Sequence, residues 1–164
     1  MTRLIDNSEF SDEQIEKIVE TILADHECDG GATVNAAGEN LSGKKFYAVA
    51  VFQHRSRNVQ RRSLTEKIVR RFVENNLDLL AVKGCVIGSW YDYDGNVSIL
   101  DVSLLLMNKS LAIKLGKDFN QIAIYDLHRK KEINLGGSGS LLEDKRNLSD
   151  KEIIQIVIEA QRRT

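Results

Sequence analysis

Apolar residues recur every three or four positions in four stretches of the chain, a spacing that predicts amphipathic helices. The stretches are residues 11–25, 63–76, 109–118 and 149–162. Three of them open on a serine with Gln or Glu three residues later. This is the capping-box pattern, in which two side chains satisfy unpaired backbone donors, and the pairs are Ser11 with Gln14, Ser63 with Glu66, and Ser149 with Glu152.

β-Branched and aromatic residues cluster between the helical stretches and predict strands. The main clusters are residues 45–53, 82–91, 96–106 and 121–128, and shorter ones lie at 33–34 and 131–135. Asp94-Gly95 joins two of the strands and indicates a β-hairpin, because glycine adopts the positive φ of a tight turn without steric cost.

The order of these elements across residues 45–128 is strand, helix, strand, strand, helix, strand. It predicts an α+β fold with a ferredoxin-like βαββαβ sheet of four to five mainly antiparallel strands, plus an N-terminal and a C-terminal helix. A more irregular α+β sheet with another strand order is the alternative. We expect one domain over residues 1–164, whose parts are an N-terminal helix (11–25), a central core (31–135), a flexible linker that begins with GGSGS (136–148), and a C-terminal helix (149–162).

Composition narrows the class of protein. A formal net charge of −1 excludes a wholly basic nucleic-acid binder. The chain shows neither an apolar run long enough to span a bilayer nor the apolar core of a secretion signal. The two cysteines have no CxxC spacing. We therefore expect a cytoplasmic protein with no membrane partner, metal or cofactor.

Charge is unevenly distributed along the chain. Residues 1–30 hold nine Asp or Glu and two Lys or Arg, a formal charge of −7, whereas residues 53–71 hold seven Lys or Arg against one Glu, a charge of +6. Arginine forks match phosphate and carboxylate oxygens, so this basic segment predicts a protein or nucleic-acid partner. The alternative is that it neutralises the acidic first helix. The candidate binding residues here are Arg55, Arg57, Arg61, Arg62, Arg70 and Arg71.

Candidate chemistry is sparse, and the sequence leaves any catalytic residue unassigned. His54 beside Arg55 has the residue types of a metal-independent nuclease, namely an acid/base group and a cation near phosphate. Asp101 lies inside an apolar strand, which indicates either a structural carboxylate or one that faces a ligand. Asn120 and Gln121 are further candidate binding residues that could hydrogen bond to it. RNA stacking on the sheet is disfavoured, because strand 97–106 has no aromatic residue.

The last helix, residues 149–162, is apolar around more than one stripe. Such a helix packs heavily on its own domain or on a second copy, so a homodimer through this helix is left open.

Several short motifs lie in the central part of the chain. They are Gly88-x-Trp90-Tyr91-Asp92, Leu100-Asp101-Val102, Leu115-Gly116 and Asn120-Gln121-x-Ala123-Ile124-x-Asp126-Leu127. These motifs resemble an uncharacterised domain family associated with bacteriophages, prophages and other mobile elements. The resemblance covers about residues 31–137, and at position 54 this chain has His where the family has an acidic residue. It implies a viral or mobile-element origin, the host cytoplasm as the location if a phage encodes the protein, and no assigned reaction.

Together these observations predict a phage-related accessory or binding protein that engages a host or viral macromolecule through charged surfaces. The alternative is a metal-independent enzyme acting on nucleic acid or a nucleotide, with His54, Arg55 and Asp101 as its candidate catalytic residues.

Overall fold

The computed structural model describes residues 10–164. Residues 1–9, part of the predicted acidic N-terminal region, lie outside this range. In the described part, the helices are α1 (Asp12–Asp29), α2 (Glu66–Asn75), α3 (Leu77–Leu80), α4 (Lys109–Asp118) and α5 (Asp150–Arg162). The strands there are β1 (Gly31–Val34), β2 (Tyr47–Val49), β3 (Arg57–Val59), β4 (Cys85–Asp92), β5 (Val97–Leu106), β6 (Ala123–Asp126) and β7 (Lys131–Asn134).

Two of the three predicted capping boxes are confirmed, Ser11 with Gln14 at α1 and Ser149 with Glu152 at α5. The third is wrong. The N-cap of α2 is Thr65, whose hydroxyl accepts a hydrogen bond from the Ile68 amide at 3.2 Å. Ser63 instead donates to a carboxylate oxygen of Glu27 on α1 at 3.3 Å. The helix therefore begins two residues later than predicted.

The chain forms two compact units. Unit 1 runs to Ser42 and includes Arg55–Val102. In it, β1 pairs antiparallel with β4, β4 neighbours β5, and β3 pairs antiparallel with β5. Helix α1 packs on β1, β4 and α2. Its side chains Ile18, Val19 and Ile22 are fully buried in this core, as their helical spacing predicts.

Unit 2 comprises Gly43–His54 and Ser103–Thr164. In it, β2 pairs antiparallel with the end of β5 and with β6, and β6 pairs antiparallel with β7. Helix α4 packs on β2 and β6, and α5 packs on α4. The ten-residue strand β5 passes from one unit into the other. The assignment of residues 1–164 to a single domain stays a prediction.

The β-hairpin lies where Asp94-Gly95 predicts it, in the turn between β4 and β5. Its left-handed residue, however, is Asn96, with φ of 49°. Asparagine tolerates this region better than other residues with a Cβ. The Asn96 side chain also accepts a hydrogen bond from the Tyr91 hydroxyl at 2.7 Å, which helps to hold the turn.

The α+β class and the antiparallel sheet are confirmed. The ferredoxin-like topology is not, because the described residues contain seven strands where four to five were predicted, and the complete strand order differs accordingly. Strand β3 and helix α3 were not predicted. The sequence Arg-Asn-Val of β3 is too short and polar to indicate a strand, and it is extended because it pairs with β5. None of the helices in this part of the chain combines the length and apolar character needed to cross a bilayer.

Candidate functional site

The basic segment predicted as a binding surface lies in unit 1 from Arg55 onward, and carboxylates of the same unit pair with part of it. The Arg55 guanidinium donates to both oxygens of Asp78, at 3.1 and 2.8 Å, and to the side-chain oxygen of Asn76 at 3.0 Å. Burial alone raises the pKa of the Asp78 carboxyl, but hydrogen bonding and charge from Arg55, with backbone donors at the start of α3, outweigh it. The net pKa lies below the ordinary value.

Two more arginines of this segment pair with helix α1. Arg62 contacts the Glu27 carboxylate at 3.3 Å and its carbonyl oxygen at 3.2 Å, and its guanidinium lies 5.6 Å from the centre of the Tyr91 ring. Arg70 bonds to Glu16 of α1 and to Glu66, the latter at 2.6 Å. The hydrogen bonds to Glu16 and then to Glu66 raise the pKa of Arg70. For these residues, neutralisation by the acidic first helix is the arrangement that the structure shows.

The remaining cations of the segment are exposed. In residues 10–164, the side chains of Arg57, Arg61, Lys67 and Arg71 have no hydrogen bond or ion pair. We call these four residues the unpaired cations. Arg57 lies on β3, Arg61 follows it in the loop, and Lys67 and Arg71 are one turn apart on α2. The predicted binding residues thus divide into a paired group and an exposed group.

Two predicted binding residues lie within unit 2, where the Asn120 side chain is hydrogen bonded and Gln121 is buried. Asn120 has a φ of 54°. Its side-chain Nδ2 donates to the Ser138 hydroxyl at 2.7 Å and to the Ser140 carbonyl at 3.0 Å. Its backbone carbonyl accepts from the Gly139 amide at 2.8 Å. Gln121 is 8% exposed. A Cβ at Gly137 would lie 2.6 Å from the Asn120 carbonyl oxygen, so only glycine fits that position. Asn120 therefore organises the GGSGS segment.

The candidate catalytic residues belong to different units, with His54 in unit 2 and Arg55 and Asp101 in unit 1. The exposed His54 ring contacts a carboxylate oxygen of Asp150, the first residue of α5, at 2.7 Å. Asp101 is 9% exposed, and its carboxylate fills the space beside Gly88, where a Cβ would lie 2.7 Å from one of its oxygens. The catalytic assignment stays a prediction.

Unit 1 contains a buried histidine network that was not predicted from the sequence. His26 on α1 is 1% exposed. Its Nδ1 lies 2.9 Å from the Ser89 hydroxyl of β4, and its Nε2 lies 3.0 Å from both the Ser98 hydroxyl of β5 and the Arg62 carbonyl. Position 26 continues the buried face of Ile15, Val19 and Ile22, and this periodicity was the signal that could have placed the ring in the core.

Within the described residues, no group of three or more His, Cys, Asp or Glu side chains is arranged to hold a metal ion. Comparisons of the chain with protein-family models, with curated proteins and with solved structures found no match.

Proposed function

We propose that this chain is a phage- or mobile-element-related binding protein that engages an acidic surface of a partner protein through the unpaired cations. The observation that carries the proposal is that Arg57, Arg61, Lys67 and Arg71 stay exposed and without an ion pair in residues 10–164, whereas Arg55, Arg62 and Arg70 are paired with carboxylates of unit 1. The motif resemblance around Trp90 and Asp101 supports the mobile-element origin.

The paired arginines favour a protein partner over nucleic acid. A nucleic acid presents closely spaced phosphates and is bound by a broad positive surface. Here α1 packs on α2 and brings Glu16 and Glu27 among the arginines, so carboxylates interrupt the positive charge. A protein surface offers isolated acidic side chains that match separate cations, and such complementary charges set specificity and the rate of association.

Charge reversal tests this proposal. We expect Arg57→Glu/Arg61→Glu to weaken binding of the partner by roughly tenfold or more, because attraction at two contacts becomes repulsion. The measurement is quantitative co-precipitation from host or infected-cell extract with the full chain. The partner is then identified and its affinity measured at several salt concentrations. Lys44→Glu/Lys45→Glu, which reverses two exposed lysines of unit 2, is the matched control and should bind as the natural chain does.

Two results would overturn the proposal. One is equal binding by Arg57→Glu/Arg61→Glu and the natural chain. The other is tight binding of generic DNA or RNA with a steep salt dependence, which would establish a nucleic-acid partner instead.

A second candidate function, a metal-independent enzyme acting on nucleic acid or a nucleotide, is favoured by the contact between His54 and Asp150. A carboxylate on one ring nitrogen orients a histidine and fixes its tautomer, which leaves the other nitrogen to transfer a proton. Activity against nucleotide and oligonucleotide substrates in EDTA is the test. We expect His54→Gln to abolish it together with its bell-shaped pH profile, while His128→Gln, at another exposed histidine, retains both. Full activity in His54→Gln would exclude this candidate.

The finer architectural predictions also stay proposals. A ferredoxin-like core is supported by β4 beside β5 and by β2 between β5 and β6, with β1, β3 and β7 as additions. A homodimer through α5 is supported by Ile158, an isoleucine of that helix that is 37% exposed. Cytoplasmic localisation stays a prediction from the sequence.

A further inference from the structure

The His26 ring joins four parts of unit 1. It lies on α1, contacts Ser89 of β4 and Ser98 of β5, and faces the carbonyl oxygen of Arg62 in the loop between β3 and α2. The Ser98 hydroxyl, fully buried, lies within hydrogen-bond distance of the carbonyls of Arg61 and Arg62, at 2.7 and 2.6 Å. The loop that carries Arg61 and Arg62 is therefore held through its backbone by one imidazole and one hydroxyl.

The hydrogen-bond partners fix a hydrogen on one ring nitrogen, because the Arg62 carbonyl can only accept and Nε2 must therefore donate. The Ser89 hydroxyl beside Nδ1 can donate or accept. Burial favours the neutral imidazole, in which Nδ1 accepts from this hydroxyl. A second proton on Nδ1 would place a positive charge inside the core and require the Ser89 hydroxyl to turn away.

The charged groups around the ring are few. The positive charge of Arg62 in the loop disfavours protonation of the ring, and the negative charge of Glu27 on α1 favours it. Strands β4 and β5 present the uncharged Ser89 and Ser98. Burial is the largest influence and lowers the pKa of His26; the hydrogen bond that the ring donates to the Arg62 carbonyl raises it, and the charge of Arg62 lowers it further. Glu27 is exposed, so it compensates the buried charge poorly.

We propose that His26 is an acid-sensitive latch, which in its neutral form holds the Arg61–Arg62 loop on unit 1 and on protonation releases it. Release admits water to the ring and removes the cost of a buried charge. Burial of the neutral ring is the closed state, and local opening of residues 60–63 is the open state.

The latch would regulate the proposed binding surface, and this part of the inference rests on the proposed function. Arg61 is an unpaired cation and Arg62 is paired with Glu27, and both belong to the held loop. Opening would displace Arg61 from its place in the loop after β3 and would break the Arg62–Glu27 pair. Acidification would thus move Arg61 and Arg62 relative to the rest of the positive surface, while the number of arginines and lysines there stays the same.

Trypsin cleavage of the full chain tests the latch without a partner. Cleavage after Arg61 and Arg62 requires an open loop, and cleavage after the exposed Arg162 and Arg163 in the same molecule is the internal reference for protease activity. When the loop recloses faster than trypsin cleaves it, the rate of cleavage after Arg61 and Arg62, divided by the rate after Arg162 and Arg163, follows the population of the open state. Because the open state titrates near the ordinary value of about 6.5, we expect the ratio to rise about tenfold from pH 7.5 to pH 5.5.

The chain offers matched controls, since it has three histidines. His26→Gln should give a ratio that no longer changes with pH, whereas His54→Gln and His128→Gln should keep the rise. If His26→Gln does not fold, the double variant His54→Gln/His128→Gln replaces it; His26 is then the one remaining histidine, and the rise in the ratio must persist.

Three results would overturn the latch: a ratio that is constant from pH 7.5 to 5.5 in the natural chain, a rise that persists in folded His26→Gln, or a rise that is lost in His54→Gln/His128→Gln. The cleavage ratio is independent of the charge-reversal experiment above. A rising ratio together with equal binding by Arg57→Glu/Arg61→Glu and the natural chain would refute only the proposed function, and a constant ratio together with weakened binding by that variant would refute only the latch.

Discussion

At the scale of single residues, the main finding is how the arginines of the basic segment are divided. Seven Lys and Arg read alike in the sequence from Gln53 to Arg71. In the fold, neighbours behave differently: Arg70 bonds to Glu16 and Glu66, whereas Arg71 is exposed. Helical geometry explains the difference, because adjacent residues on a helix point about 100° apart and only one of them faces α1.

The Arg55–Asp78 pair gives a prediction at this scale. We expect Asp78→Asn to lower the free energy of unfolding by about 1 kcal/mol at pH 7, a value discounted because the Asp78 side chain is 39% exposed. The folded pKa of Asp78 is lowered from 3.8, so its stabilisation is present above that value and is lost as pH falls through the folded pKa. Urea unfolding at pH 7 and in acid measures the difference in the free energy of unfolding between Asp78→Asn and the natural chain. This difference should be smaller in acid.

Asp94→Asn, at the exposed hairpin turn, is the control for the Asp78 variant and should stay within about 0.5 kcal/mol of the natural chain. Equal stability of Asp78→Asn and the natural chain at pH 7 would show that the pair contributes nothing.

At the scale of elements, helices were predicted better than strands. The four long helices were found with ends close to those expected, and α4 matches its predicted bounds, because apolar periodicity and capping residues are local signals. Two strands were predicted too long, since 45–53 shortens to Tyr47–Val49 and 121–128 to Ala123–Asp126. A strand extends only as far as its partner does, and the partner is not encoded nearby.

The start of α2 gives a prediction at the scale of elements. We expect Thr65→Ala to lower the free energy of unfolding by about 1 kcal/mol, because the Ile68 amide loses its cap. Ser63→Ala, at the position that the sequence pattern favoured, should change it by less than about 0.5 kcal/mol, since its contact with Glu27 is exposed. Urea unfolding of both variants decides which serine or threonine caps the helix, and a larger effect at Ser63 would contradict the observed cap.

At the scale of the whole molecule, the net charge of −1 is the sum of an acidic and a basic region. The acidic helix α1 and the basic segment from Arg55 onward belong to the same unit. The fold brings their opposite charges into contact and, within residues 10–164, leaves four cations of the segment unpaired. The exposed positive charge is therefore smaller than the +6 of the segment.

The sequence by itself determined what depends on neighbours within a few positions. This includes the α+β class, the long helices, the hairpin at Asp94-Gly95 and the capping boxes of α1 and α5. Only the tertiary structure decided which strands pair, that His26 is enclosed, which arginines Glu16 and Glu27 neutralise, and that Asn120 organises GGSGS. The physical reason is separation along the chain. His26 and Ser98 are 72 positions apart, and no local pattern states that α1 will bring them within 3.0 Å.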